Sequence, residues 1–148
     1  MLAYRNIGRT LKKAVKQPRY AYQAFQARFK SYRSYRNGDG FSAPPETISL
    51  FLTFRCNLRC HMCGQWGYAG AFKEMTGQEL KASLSLEEYK ALVDDVAPFR
   101  PTFTLFGGEP TLYKDWTEIV RYIKSKGMRV NMVTNGMLLS KYAEEVVE

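Results

Sequence analysis

The sequence predicts an α/β fold of parallel strands joined by crossover helices, preceded by a separate basic helical segment. Three observations carry this. From Glu46 onward, short runs rich in β-branched and aromatic residues alternate with segments of helical periodicity, at roughly thirty residues per unit. An unusual loop follows each of the three strand-like runs. Ahead of them, residues 1–36 hold ten of the 22 Lys and Arg and no acid, which leaves twelve bases against 14 acids in the remainder.

In the basic segment Tyr4, Ile7, Leu11 and Val15 recur at three- and four-residue spacing. Tyr22, Phe25, Phe29 and Tyr32 do the same after Pro18. Both patterns read as amphipathic helices, broken or kinked near the proline. Asn37-Gly38-Asp39-Gly40 and Pro44-Pro45 mark a linker over residues 37–45. The domains expected are therefore a basic extension (1–36), the linker, and a chemically active region (46–148). Three partners suit the extension: an anionic membrane surface, nucleic acid, or the rest of the protein, on which it would pack.

Thr47 to Thr53 reads as the first strand and runs straight into a cysteine loop. Tyr68 to Ser83 is glycine-rich and polar, a long loop. Ser85 opens a helix, with Glu88 three residues on completing a capping box. Thr102 to Phe106 is the second strand, ended by Gly107-Gly108-Glu109-Pro110. Asp115 is expected to cap the next helix, with Glu118 in the matching position, and Gly127 to stop it. Met128 to Val133 is the third strand, followed by Thr134-Asn135-Gly136, and Ser140 begins a last helix. Repeats of this kind imply right-handed crossovers, and functional loops then lie at the carboxyl ends of the strands. All three unusual loops fall there and would meet on one face.

Cys56, Cys60 and Cys63 are the only cysteines. An odd number packed so closely makes a poor disulfide framework and points to a reducing cytoplasm. No run approaches transmembrane length, and the N-terminus lacks the apolar core of a secretory signal. Three thiolates are soft ligands for an iron–sulfur cluster, zinc or copper, yet one short of the four protein ligands of a structural site. Such a set suits a centre that does chemistry at its open position. Burial as three small hydrophobes does not suit a loop that also carries Arg55, Asn57 and Arg59, and these arginines would offset the charge of a thiolate-ligated cluster. His61, the only histidine, is the fourth ligand a zinc site would need. Placed between two cysteines, its side chain reads instead as solvent-facing. Trp66 serves equally as a shield for the centre or as ordinary packing.

Gly107 and Gly108 let the backbone approach a ligand closely, and their amide and carbonyl groups suit an ammonium or carboxylate. Glu109 adds an acceptor and Pro110 stiffens the turn. Taken alone, this sequence and Thr134-Asn135-Gly136 are also ordinary turns. Glu87, Glu88, Asp94 and Asp95 read as capping and solvated charges of the first crossover helix.

Cys56-x-x-x-Cys60-x-x-Cys63 after a first strand, then Gly107-Gly108-Glu109-Pro110 after a second and Thr134-Asn135-Gly136 after a third, resembles the radical S-adenosylmethionine enzymes. The resemblance covers residues 46–148. It implies the first three units of a partial (βα) barrel and a four-iron four-sulfur cluster held by the three cysteines. S-adenosylmethionine would chelate the fourth iron, and one-electron reduction, from a donor such as flavodoxin or ferredoxin, would yield a 5′-deoxyadenosyl radical that acts on an unidentified substrate. Gly107, Gly108 and Glu109 would hold the methionyl amino group. The backbone near Met62 would contact the adenine, with Thr134 and Asn135 near the cofactor. Met62 stands where the family usually has an aromatic residue. The family's barrel has about six units, so the chain is expected to be the N-terminal part of a longer protein. The other expectation is a non-catalytic iron–sulfur or zinc-binding module, which would need no Gly-Gly-Glu at the next strand end. The compartment expected is the cytoplasm, with a peripheral membrane location if the extension binds lipid.

Overall fold

The computed structural model describes residues 7–38 and 40–144. The chain divides into two compact units, residues 1–46 and residues 47–148.

In the first unit, helix α1 spans Ile7–Lys16 and helix α2 spans Pro18–Asn37. The break falls at Gln17. Pro18 occupies the first turn of α2, where its missing N–H costs no helical hydrogen bond. Gly38, at φ +65°, ends α2 in the left-handed conformation, so the helix runs on to the first residue of the expected linker. Tyr4, the first residue of the first periodic set, lies outside the described residues. Ile7, Leu11 and Val15 of α1 are exposed, and so are Tyr22, Phe25, Phe29 and Tyr32 of α2. The half-buried positions of α2 are small residues: Ala21, Ala24, Ala27, Ser31 and Ser34.

The second unit holds strands β1 (Thr47–Phe51), β2 (Thr102–Phe106) and β3 (Arg129–Met132), parallel and in the order β1-β2-β3. Helix α3 (Leu86–Val96) leads from β1 to β2, and helix α4 (Trp116–Ser125) from β2 to β3. Register aligns Ile48 with Phe103 and Val130, and Leu50 with Leu105 and Met132. Side chains alternate across a strand, so these rows form one apolar face. Tyr89 and Val93 of α3 and Trp116, Ile119 and Ile123 of α4 close over it in a single core. The opposite face aligns Ser49, Thr104 and Asn131.

Ser85 and Glu88 form the expected capping box, the Ser85 hydroxyl accepting from the Glu88 N–H and the Glu88 carboxylate accepting from the Ser85 N–H at 2.7 Å. Asp115 departs from expectation. It stands at the N-cap of α4, but its side chain makes no capping hydrogen bond and faces Lys114 at 3.6 Å instead. Its φ of −103° and ψ of 21° lie outside the extended conformation that aims a cap side chain back at the first turn. Gly127, at φ +70°, follows α4 as predicted. β1 and β3 are shorter than the runs read for them, although single bonds from Leu52 N–H to Phe106 C=O and Val133 N–H to Leu105 C=O extend the pairing. The last helix, expected from Ser140, opens as a 3₁₀ turn over Leu139–Tyr142 and is α-helical at Ala143 and Glu144, where the described residues end. A second such turn, Glu79–Lys81, interrupts the long loop.

The acids of α3 are surface and capping groups, as predicted. Glu87 pairs with Lys90 at 3.0 Å, and Asp94 accepts from Tyr122 Oη–H at 2.7 Å and pairs with Lys126.

Candidate functional site

The cysteine loop, the Gly-Gly-Glu-Pro turn and the Thr-Asn-Gly turn leave the carboxyl ends of β1, β2 and β3, and specific hydrogen bonds tie them together. The first ties are backbone to backbone: Gly108 N–H donates to Thr53 C=O at 2.7 Å, and Glu109 N–H to Arg55 C=O at 2.8 Å. This proximity is what the two glycines permit. A Cβ on Gly107 would lie 2.6 Å from the Thr53 carbonyl oxygen, and one on Gly108 2.2 Å from that of Arg55. The close approach the sequence predicted for a ligand is thus already made to the chain's own first loop.

Glu109 is the centre of the arrangement. Its side chain is 1% exposed. One carboxylate oxygen accepts from Thr111 N–H at 3.1 Å, Thr111 Oγ1–H at 2.6 Å and Thr134 Oγ1–H at 2.7 Å. The other accepts from Asn135 N–H at 2.8 Å. Burial works to raise its pKa, but the hydrogen bonds from Thr111, Asn135 and Thr134 together outweigh burial and hold the carboxyl below its ordinary value. Asn135 in turn donates through Nδ2 to Asn57 Oδ1 at 2.8 Å, which carries the network from the third loop to the first. Thr134, Asn135, Gly107, Gly108 and Glu109 are therefore brought together, as their positions predicted.

The cysteine loop is folded by its own turns. Cys63 N–H donates to Cys60 C=O at 3.0 Å, and Gly67 N–H to Cys63 C=O at 2.8 Å. Cys56 Sγ accepts from Leu58 N–H at 3.4 Å, and Cys63 Sγ from Gln65 N–H at 3.4 Å and Trp66 N–H at 3.5 Å. The backbone N–H groups of Trp66 and Gln65 hold the Cys63 thiol below its ordinary pKa, against a smaller effect of burial, which favours the thiolate that a metal takes. The Arg59 guanidinium lies 3.9 Å over the Trp66 ring and donates to Cys56 C=O at 2.7 Å. Trp66 is buried, and its indole N–H donates to Phe54 C=O at 2.9 Å. Phe72 meets the Trp66 ring edge to face, and Phe54, Phe51 and Phe106 continue the aromatic cluster from Phe72 in edge-to-face or tilted pairs.

One feature of the predicted site is not assembled. Among the described residues no group of three or more His, Cys, Asp and Glu side chains converges as a metal site; Cys60 is exposed, and Cys56 and Cys63 are half-buried. Met62 is 94% exposed. His61 is exposed, as its position between two cysteines predicted. The donor set nevertheless fits an iron–sulfur cluster: three thiols on one loop, two of them already accepting backbone N–H bonds, beside a fixed cation. Ordering of such a loop is coupled to the metal it binds.

Sequence reasoning missed Asn57, Thr111 and Phe72. Thr111 had a signal: a carboxylate two residues before a hydroxyl residue is an arrangement for a local side-chain cap. Asn57 and Phe72 had none, since the partner of Asn57 is 78 residues away and Phe72 meets Phe51, Phe54 and Trp66 only once the long loop has folded back.

Comparison with known proteins gives the family. The family model for the radical SAM superfamily matches residues 50–148. The chain is 46% identical over 91 residues to Fe-coproporphyrin III synthase of Methanosarcina barkeri, covering 61% of this chain and 21% of the relative. It is 38% identical over 105 residues to an AdoMet-dependent heme synthase of the same organism, covering 70% and 27%. It is 31% identical over 110 residues to a probable GTP 3′,8-cyclase of Methanococcus maripaludis, covering 73% and 34%. The chain thus spans a fifth to a third of the length of these relatives.

Proposed function

The chain belongs to the radical SAM superfamily, an enzyme by resemblance, and from that premise we propose that it carries the radical-initiating part of such an enzyme. Cys56, Cys60 and Cys63 ligate three irons of a four-iron four-sulfur cluster. S-adenosylmethionine would bind beside the cluster at the position the three cysteines leave open, and a flavodoxin- or ferredoxin-like donor would provide the electron in the cytoplasm. Bound there, the cluster supplies the electron that cleaves the sulfonium bond and so starts radical chemistry on the substrate.

The chain's own residues shape the site. The Gly107-Gly108 backbone offers carbonyl groups to the methionyl ammonium. Thr134 and Asn135 border the same space, and the backbone at Met62 meets the adenine. Glu109 belongs to this cofactor-binding set, and its hydrogen bonds suggest that its part is to fix the turns around the ammonium. Arg59, held by Cys56 C=O and the Trp66 ring, offsets cluster charge, while the Phe51, Phe54, Phe72 and Trp66 rings keep water from one side. A partial barrel follows if further parallel strands continue the β1-β2-β3 order, with the row of Ser49, Thr104 and Asn131 as a stretch of its polar interior.

The observation that carries this reading is the single hydrogen-bonded network from Asn57 through Asn135 to Glu109, which unites all three predicted loops. A zinc or electron-transfer module has no use for it, and the comparisons lend that alternative no support. The names of the relatives point to unlike reactions: two name a product, Fe-coproporphyrin III and heme, and one names GTP as the compound cyclised. What they share with this chain is read as the initiating site and not as a substrate pocket.

The test is anaerobic reconstitution, with iron and sulfide analysis and electron paramagnetic resonance of the reduced cluster. Adding S-adenosylmethionine should change the spectrum, and an unchanged spectrum would sink the enzyme reading. Cys60→Ala should abolish cluster retention; normal iron content in that variant would refute the ligand assignment.

A further inference from the structure

We propose that α1 and α2 form an interfacial anchor that seats the protein on an anionic lipid surface. The inference is independent of the radical chemistry. In α1 Ile7, Leu11 and Val15 fall at i, i+4 and i+8 and are 47%, 60% and 81% exposed. Arg9, Lys12, Lys13 and Lys16 fall on the opposite side of the same helix. In α2 Tyr22, Phe25, Phe29 and Tyr32 form a second exposed stripe, bordered by Arg33 and by Arg36, whose guanidinium reaches Tyr32 Oη at 3.5 Å. Residues 1–36 contain no acid.

An apolar or aromatic stripe with a Lys/Arg-rich polar face and low overall hydrophobicity is the design of a helix that lies in the plane of a membrane surface. Tyr rings with one apolar and one polar end suit the headgroup level. Among the described residues no helix is long and apolar enough to cross a membrane, so the surface is the depth at which these stripes would rest. The uniform positive charge selects anionic headgroups, each base near the surface adding attraction that salt screens. Nucleic acid would also attract the bases, but it would leave both apolar stripes facing water without a role. The lipid surface uses both features of the helices.

The experiment is co-sedimentation of the 148-residue chain, metal-free, with phosphatidylcholine vesicles and with vesicles that also contain phosphatidylserine, at low and high salt. Binding is expected at least about tenfold tighter to the anionic vesicles and weakened several-fold by salt. Replacing Leu11, Phe25 and Phe29 together by Ser should weaken that binding by about tenfold or more. All three side chains are exposed, and circular dichroism checks that the helices survive the change, which also removes the Phe25–Phe29 ring contact. Lys12→Gln with Lys13→Gln should instead reduce both affinity and salt dependence. No vesicle binding at low salt would overturn the proposal. So would unchanged binding by the Ser variant, or binding to RNA but not to vesicles.

Discussion

Replacing Glu109 by Gln tests the central claim about the site, that this carboxylate clamps the loops together. Gln has the same shape, but its amide holds one acceptor and one donor end. With the oxygen kept toward Thr111 and Thr134, the NH₂ group would face Asn135 N–H, at a place where the native separation is 2.8 Å. One charged hydrogen bond becomes a donor–donor contact, and three others lose their ionic character. A hydrogen bond to a charged group contributes about 1.5–3 kcal/mol, and an unsatisfied buried donor costs about 1–3 kcal/mol. Hydroxyl rotation and relaxation of the exposed Asn135 recover part of this. The expected loss is about 3 kcal/mol, or roughly a hundredfold in the folding equilibrium. Urea unfolding of the metal-free, reduced chain measures the first effect. Amide hydrogen exchange measures the second, a fall in protection at Asn135. If the unfolding midpoint and the Asn135 protection both stay unchanged while S-adenosylmethionine binding is lost, Glu109 is a cofactor ligand and not a clamp. That outcome would overturn the clamp.

Gly108→Ala places a Cβ 2.2 Å from the Arg55 carbonyl oxygen, so the β2 turn must retreat from the β1 loop. A loss of about 2–3 kcal/mol in urea unfolding is expected, and a variant as stable as the native chain would contradict the close contact. Tyr89→Phe removes the bond to Phe51 C=O at 2.9 Å from a phenol whose pKa burial pushes up to about 12; a cost of about 1–2 kcal/mol should appear with an unchanged urea slope. The depressed pKa of Glu109 makes stability fall with acid. A group whose folded pKa lies below its unfolded one contributes above the unfolded value and loses that contribution as pH drops through the folded value. Acid titration of the unfolding free energy should therefore slope downward below the ordinary glutamate value near 4.5, and Glu109→Gln should flatten that slope.

The strand–helix alternation was legible because each signal is local. The Ser85–Glu88 capping box needs only a three-residue spacing, and Gly127 needs only its own freedom at positive φ. Asp115 shows the limit of local rules. The residue type was right for a cap, but the backbone leading from the Pro110–Leu112 turn arrives at φ −103° and ψ 21°, and its side chain faces Lys114. Shortened strands have a similar origin. Thr53 lies within the run read as β1, but its carbonyl accepts from Gly108 N–H, so it serves the loop junction beyond the end of the ladder.

The candidate site was legible as a set of places and less so as a set of roles. Parallel topology alone predicts that loops after β1, β2 and β3 share an end of the sheet, and that placement needed no side-chain detail. Which groups face a ligand and which face each other depends on contacts between segments far apart in sequence. Gly107, Gly108 and Glu109 look the same in sequence whether they approach a cofactor or approach Thr53, Arg55 and Asn135. In the structure they approach the chain itself, and that bears on how the site would work. Glu109 Oε1 already accepts three hydrogen bonds and Oε2 one, so an acceptor site for an ammonium is left only on Oε2, while the turns the carboxylate fixes keep their backbone carbonyls in one arrangement. The specificity of the Gly-Gly-Glu sequence is then a requirement for preorganisation: two residues without Cβ so that the turns can close, and one buried charge to keep them closed.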